Sequence, residues 1–276
     1  MTEVDYEVEY NNRARVPEHP ALISGWAKDA AAYRDQHAPQ RLSYAPGSRN
    51  RIDVFHGGDG PIVVFIHGGY WQALDGSFFS HCARGLNAHG VSVAIPSYDL
   101  CPSVTVDDII TQMRAACREL AKLGRSLVIS GHSAGGHLAA CMLATDWTAL
   151  DRSLPKNPVV AAYAISGLFD LVPLVETSIN TALRLDQVTA RAASPLFWQP
   201  PAGGSLDAVV GGSESAEYFR QSRTIVEAWG AAGLPTRFGT VEGANHFTAI
   251  APLADPGSPM VARLAELAGR QLSKKR

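Results

Sequence analysis

One pentapeptide constrains this chain more than any other feature, because residues 131–135 read Gly-His-Ser-Ala-Gly and match the pattern G-x-S-x-G. A strand-like apolar stretch, Ser126–Ser130, precedes it, and a helical pattern over Ala134–Thr145 follows. This order predicts a sharp strand-to-helix turn that strains the serine backbone and holds its hydroxyl clear of the sheet. The pentapeptide alone is also typical of an ordinary glycine turn, but the flanking strand and helix favour Ser133 as a nucleophile.

Strand-like and helical patterns alternate along the rest of the chain. The apolar runs Ile62–Ile66 and Val91–Ile95 predict strands buried on both faces. Thr105 and Asp108 fit a capping box that begins a helix. The alternation predicts an α/β fold with a mostly parallel sheet and helices on both faces. Further strands are predicted at Val159–Ile165, Ala208–Val210 and Thr236–Val241, and further helices at Ser215–Ala232 and Met260–Leu272.

The two earliest predicted strands, Arg51–Phe55 and Pro61–His67, are separated by a short glycine-rich turn. Parallel neighbours need a long crossover, whereas antiparallel neighbours need only a tight turn. The spacing therefore predicts an antiparallel hairpin at one edge of the sheet.

The chain of 276 residues has the length of a single α/β domain, so we expect one domain over residues 1–276. Residues 1–40 predict a polar, helical N-terminal leader. Residues 172–205 interrupt the alternation with several prolines, and we interpret them as a small cap insertion over the strand ends. A long surface connection remains the alternative for this segment.

A serine nucleophile needs a general base, and two histidines follow Ser133 in the sequence. His137 lies four residues on, within the predicted helix, where it cannot easily reach back to the serine hydroxyl. His246 lies in a glycine-bearing loop after the last predicted strand, which is where the base of such a triad belongs. We therefore predict His246 as the base.

The acid that orients this histidine has two candidates. Glu214 follows the strand that ends near Val210, at the start of a helix, and this position favours it. Asp170 follows an earlier strand and is the alternative. A glutamate can orient a histidine as an aspartate does.

Residues 67–71 read His-Gly-Gly-Tyr-Trp and follow the strand that ends at Ile66. This stretch resembles the H-G-G-G motif whose backbone amides bind the substrate oxygen in lipases and esterases. Amides fixed where negative charge develops stabilise a tetrahedral intermediate. We predict an oxyanion hole formed by the amides of Gly69, Tyr70 and Ala134, with Gly68 shaping the turn.

The same His-Gly-Gly-Tyr-Trp stretch is similar to a motif of the kynurenine formamidase (arylformamidase) group of α/β-hydrolases, near the hormone-sensitive-lipase-like esterases. Residues 211–222 resemble that group's acid-bearing segment, in which Glu214 stands where the family usually has aspartate. Residues 10–13, Tyr-Asn-Asn-Arg, resemble the leader of bacterial members. The resemblance implies an α/β-hydrolase fold and hydrolysis through an acyl-serine intermediate, without a metal ion or organic cofactor.

The expected substrate is a small-molecule ester or amide with a formyl or acetyl group on an aromatic amine or alcohol. Aromatic side chains beside the predicted catalytic residues favour this substrate, namely Tyr70, Trp71, His132, Trp198 and Phe247. A general carboxylesterase acting on short-chain esters is the first alternative. A non-catalytic ligand receptor on the same fold is the second, because a fold alone does not fix function.

The composition of the chain bears on which partners it can bind and in which cellular compartment it is expected. A net charge of −2 gives no electrostatic reason to expect nucleic acid binding. No apolar run approaches the roughly 18 residues of a membrane helix, and the acidic start is unlike a signal peptide. The four cysteines form no C-x-x-C pair, so neither a disulfide framework nor a zinc site is predicted. We expect a cytoplasmic protein without a membrane partner, and the sequence leaves its oligomeric state open.

Overall fold

The computed structural model describes residues 4–269. Within that range eight strands form one sheet in the order β1-β2-β4-β3-β5-β6-β7-β8. The strands are β1 (Gln40–Ser43), β2 (Arg51–Phe55), β3 (Ile62–Ile66), β4 (Ser92–Pro96), β5 (Leu127–His132), β6 (Val159–Ile165), β7 (Leu206–Gly211) and β8 (Thr236–Val241). From β4 to β8 all neighbours are parallel, which confirms the predicted fold class.

Helices cover both faces of the sheet. They are α1 (Tyr6–Tyr10), α2 (Asn12–Arg15), α3 (His19–Gln36), α4 (Arg84–Asn87), α5 (Val106–Ala121), α6 (Ala134–Leu143), α7 (Trp147–Leu150), α8 (Asn180–Leu183), α9 (Gln187–Ala192), α10 (Ala216–Ala231) and α11 (Pro259–Leu267). Short 3₁₀ segments span Gly76–Ala83, Val172–Glu176, Pro195–Phe197 and Ala251–Ala254. The predicted capping box is present, since the Thr105 and Asp108 side chains each bond the other's backbone N–H.

The core forms two layers, one on each side of the sheet. Alternate residues of β3 belong to different layers, because successive side chains of a strand point to opposite faces. Val64 packs in the layer that contains α5, α6 and α10, whereas Val63 and Phe65 pack in the layer that contains α3 and α11. This double burial explains why β3 is apolar at every position.

The predicted hairpin of β2 and β3 is wrong. β4 lies between them, antiparallel to β2 and parallel to β3, and β2 instead forms an antiparallel pair with β1 at the sheet edge. The loop after β2 crosses the start of β4, where the Gly58 N–H donates to the Gly90 carbonyl at 2.7 Å. A fully apolar strand such as β3 gains more from two sheet neighbours than from an edge position, and the short loop is just long enough to allow it.

The leader and the proline-rich segment meet over the carboxyl ends of the strands. Residues 172–205 form two 3₁₀ segments with α8 and α9 between them. The Glu7 carboxylate accepts hydrogen bonds from the Ser178 N–H and hydroxyl, both at 2.7 Å. A covering role for this segment remains a prediction. The C-terminal helix ends at Leu267, and Ala268 and Gly269 form a turn. The last three residues of the predicted helix, 270–272, lie outside the described residues.

Candidate active site

Ser133 lies at a sharp turn between the last residue of β5 and the first residue of α6. Its backbone has φ 57° and ψ −119°, a strained conformation for a residue with a side chain. Gly135 allows the turn, because a Cβ there would lie 1.9 Å from the Ile66 carbonyl oxygen. The start of α6 therefore packs closely against the end of the neighbouring strand β3, and Ser133 lies in the strand–turn–helix order that the pentapeptide predicts.

His246 and Glu214 come from the loops that follow β8 and β7. His246 Nδ1 donates to Glu214 Oε2 at 2.6 Å. The other carboxylate oxygen accepts from the Gly211 N–H at 2.7 Å and from the Ser166 hydroxyl at 2.5 Å. These three donors fix the carboxylate, and the carboxylate in turn fixes the imidazole ring.

Asp170, the alternative acid, is held elsewhere. Its carboxylate lies 3.7 Å from Arg220 and accepts from the Val172 N–H at 3.1 Å. The structure therefore places Glu214, and not Asp170, beside His246. A carboxylate at that position can keep Nδ1 protonated and leave Nε2 free to accept a proton.

His132 supports the same loop from the sheet. Its Nε2 lies 2.8 Å from the His246 carbonyl oxygen, which can only accept, so Nε2 carries the proton. Burial, together with the neighbouring His246, holds the pKa of His132 well below its usual value. His132 is therefore a neutral donor that anchors the backbone of His246.

The predicted oxyanion turn adjoins the serine. Gly69, Tyr70 and Trp71 all have positive φ, at 111°, 50° and 56°. Among the described residues, the N–H groups of Gly69 and Tyr70 have no hydrogen-bond acceptor, and Ala134 begins α6, where N–H groups lack helical partners. A Cβ on Gly68 would lie 3.0 Å from the Ser133 Cβ, which shows how closely the turn approaches. Successive free amides of this kind form an anion-binding concavity.

A cavity of about 470 Å³ opens above these groups. Ser133, His246 and the turn from Gly68 to Tyr70 all line it. Four aromatic residues are among those that line it, namely Tyr10, Trp26, Tyr70 and Phe247, and the ring centroids of Trp26 and Phe247 lie 6.0 Å apart. The cavity can therefore hold a flat aromatic group next to the serine.

Two of the predicted substrate-binding residues lie away from this cavity, whereas His132 and Phe247 line it. Trp71 has a positive φ and is fully buried, and its ring makes a T-shaped contact with that of His137, the two centroids lying 5.0 Å apart. Trp198 lies with Phe197 in a separate depression and donates to the Ala192 carbonyl at 2.7 Å. Both placements correct the expectation from sequence.

The sequence did not predict that the leader would line the cavity. Tyr10 and Asn12 reach it from α1 and α2, and Trp26 reaches it from α3. Tyr218 of α10 packs against His246, with ring centroids 4.7 Å apart. The only signal for Tyr10, Asn12 and Tyr218 was the likeness of residues 10–13 and 211–222 to a known family, which says nothing about their chemistry, and Trp26 had no signal.

Known proteins resemble this chain over the serine, the histidine and the oxyanion turn. Residues 63–249 match the sequence pattern of a protein family that has the α/β-hydrolase fold. This range includes the turn at residues 67–71, Ser133 and His246. The chain belongs to this α/β-hydrolase family. It is therefore a hydrolase-superfamily protein, as the pentapeptide and the sheet predicted.

Individual relatives extend the match beyond the family pattern. Kynurenine formamidase of Danio rerio is 31% identical over 83% of this chain and 81% of that protein. The Salmo salar enzyme of the same name is 30% identical over the same shares. A solved structure from a Silicibacter species, provisionally named a thioesterase, is 35% identical and has a TM-score of 0.83 over 94% of this chain and 98% of that chain. The chain is thus a homologue of kynurenine formamidases, which confirms the resemblance seen in residues 67–71.

The part of the chain that the structure describes contains neither a membrane-spanning helix nor a cluster of metal ligands. No helix within residues 4–269 combines the length and the apolar character needed to cross a membrane. The same range contains no group of three or more His, Cys, Asp or Glu side chains placed to hold a metal ion.

Proposed function

We propose that this protein is a serine hydrolase that removes a formyl or acetyl group from an aromatic amine or alcohol. The observation that carries the proposal is the 2.6 Å hydrogen bond between His246 and the buried Glu214, with His246 and Ser133 lining one cavity. In this account Ser133 is the nucleophile, His246 the general base and Glu214 the acid that orients it. Homology to kynurenine formamidases supports the amide-cleaving form of the activity.

The reaction proceeds by acyl transfer in two halves. His246 takes the hydroxyl proton while the Ser133 oxygen attacks the acyl carbonyl, and the amides of Gly69, Tyr70 and Ala134 stabilise the oxyanion. The intermediate collapses, the bond to the leaving group breaks, and His246 gives its proton to the departing nitrogen or oxygen. Water then attacks the acyl-serine with the same proton transfers and releases the acid.

The shape of the cavity supports an aromatic leaving group. Trp26, Tyr70 and Phe247 are among the residues that line it, and aromatic lining favours an aniline or phenol over an aliphatic leaving group. A general carboxylesterase is the second candidate, because the same serine, base and amides serve an ester as well as an amide.

The test is a substrate series with the purified protein. We expect higher kcat/KM for N-formylkynurenine, formanilide and phenyl acetate than for long aliphatic esters such as a decanoate. Each methylene that fits a hydrophobic pocket changes discrimination by roughly 1 kcal/mol or more, so the series separates the two patterns clearly. Activity that rises steadily with acyl length would overturn the small-acyl assignment and favour a lipase-like esterase.

A further inference from the structure

The leader places a buried amide in the wall of the active-site cavity. Asn12 is only 5% exposed, yet it lines the cavity with Ser133 and His246. Its Nδ2 lies 2.7 Å from the Tyr218 hydroxyl and 3.2 Å from the Tyr70 hydroxyl. The reaction described above gives this side chain no task.

The hydroxyl protons of Tyr70 and Tyr218 determine whether Asn12 presents its NH₂ group or its oxygen to the two phenols. Burial raises the pKa of both Tyr70 and Tyr218, so each phenol keeps its single proton. Tyr70 donates to the Tyr10 carbonyl at 2.7 Å, because a carbonyl can only accept. The 2.7 Å contact between the two hydroxyls must then use the Tyr218 proton.

Neither phenol therefore has a proton left for Asn12. The amide must present its NH₂ group to them, and its Oδ1 has no hydrogen-bond partner among residues 4–269. A ligand that fills the cavity displaces water from this oxygen, and an acceptor that loses water without gaining a donor is penalised. A ligand that supplies a donor at this point is therefore favoured.

This acceptor lies close to the reacting atoms. Tyr218, the hydrogen-bond partner of Asn12, packs against the His246 ring at 4.7 Å. Asn12, Ser133 and His246 also line the same cavity. A substrate whose carbonyl meets Ser133 therefore has both His246 and Asn12 in the walls of its cavity.

We propose that Asn12 Oδ1 accepts a hydrogen bond from the N–H of the leaving amine and so favours amides over matching esters. The inference rests on the proposed function. His246 protonates the nitrogen lone pair, so the existing N–H points elsewhere and needs its own acceptor. Because the nitrogen gains positive charge as it is protonated, that N–H becomes a stronger donor in the transition state, where the interaction accelerates the reaction. An ester oxygen carries no hydrogen and gains nothing from Asn12.

The experiment compares formanilide with phenyl formate, which share the acyl group and the ring and differ in one leaving atom. The quantity is the ratio of their kcat/KM values, with uncatalysed hydrolysis subtracted. We expect Asn12→Leu to lower the amide-to-ester ratio roughly tenfold, as the loss of one hydrogen bond does. Asn12→Asp retains an acceptor oxygen for the substrate N–H but loses the NH₂ donor to the two phenols, so its kcat/KM should fall on both substrates while the ratio stays within about threefold of the wild-type ratio.

Two controls accompany these variants. Gln72→Leu removes another amide from the wall of the same cavity and should leave the ratio unchanged. Urea unfolding reports whether each variant has folded, and Asn12→Ala is the second truncation if the leucine side chain disturbs packing.

Each outcome has a defined meaning. An equal loss on both substrates in the Leu and Ala variants would overturn the role of Asn12 and leave the proposed function intact. A wild-type protein that cleaves phenyl formate but no formanilide would overturn the amide-cleaving function, and this inference with it.

Discussion

Glu214 and His246 are 32 residues apart in sequence, yet Oε2 of Glu214 accepts a 2.6 Å hydrogen bond from Nδ1 of His246. The carboxylate side chain is fully buried and the histidine side chain is 7% exposed. Water therefore competes little for this bond. The first prediction follows from it.

Glu214→Ala should reduce kcat by about 10⁴, as loss of a triad acid does, because the imidazole loses its orientation and the partner of its proton. Asp170→Ala is the matched control, since Asp170 pairs with Arg220 instead of the histidine. Steady-state kinetics on phenyl acetate measures both. The reverse ranking, with both variants folded, would move the acid to Asp170.

The second prediction concerns Trp71 and Trp198, which the sequence analysis placed in the substrate site and for which the structure predicts different effects of substitution. Trp71→Ala should lower the free energy of unfolding by about 3–5 kcal/mol, because it leaves a large cavity beside His137 in the core. Trp198→Ala, in its separate depression, should change kcat/KM by less than about twofold, since surface substitutions away from a site have small effects. Urea unfolding and phenyl acetate kinetics provide the two measurements. A large kinetic effect at Trp198 would return that residue to the substrate site.

The third prediction concerns acid stability. Burial lowers the pKa of His67 and of His137 to about 4. The unfolded chain binds protons at these histidines once the pH falls below about 6.5, whereas the folded protein does not until about pH 4. Each neutral histidine therefore contributes fully to the free energy of unfolding above pH 6.5, and this contribution is lost as the pH falls. The free energy of unfolding should be lower by about 2 kcal/mol per histidine at pH 5.

Urea unfolding at pH 7 and pH 5 measures this loss. His137→Gln should lessen the difference between the two pH values, because glutamine does not titrate and its amide can still donate to the Ala193 carbonyl that His137 contacts. Equal free energies of unfolding at both pH values in the wild-type protein would contradict the prediction.

Local motifs predicted the elements that carry the site. The turn at Ser133 needs glycine at 135, because a side chain there would clash with neighbouring backbone. The pattern G-x-S-x-G contains this glycine, so the pentapeptide alone predicts the turn. Glu214 and His246 follow the ends of β7 and β8, so their loops were identifiable once the strand order along the chain was known.

Strand pairing and the leader's position could not be predicted in the same way. The short loop between β2 and β3 favoured a hairpin, but the later strand β4 inserts between them, and no local pattern records that. Asn12 meets Tyr218 across 206 residues of sequence. Such contacts depend on how the N-terminal helices pack on α10. Neither the spacing nor the composition of residues 10–13 predicts this packing.

The most direct test of the account is the turnover of formanilide and phenyl acetate by Ser133→Ala. Ser133 is the residue at the strained turn, and its hydroxyl is the group that attacks the carbonyl in the proposed reaction. Loss of such a nucleophile costs on the order of 10⁶ in kcat, and the variant should keep the fold of the wild-type protein. A pure, folded variant that retained even about a tenth of the wild-type kcat, against that expected loss, would contradict the assignment of Ser133 as the nucleophile.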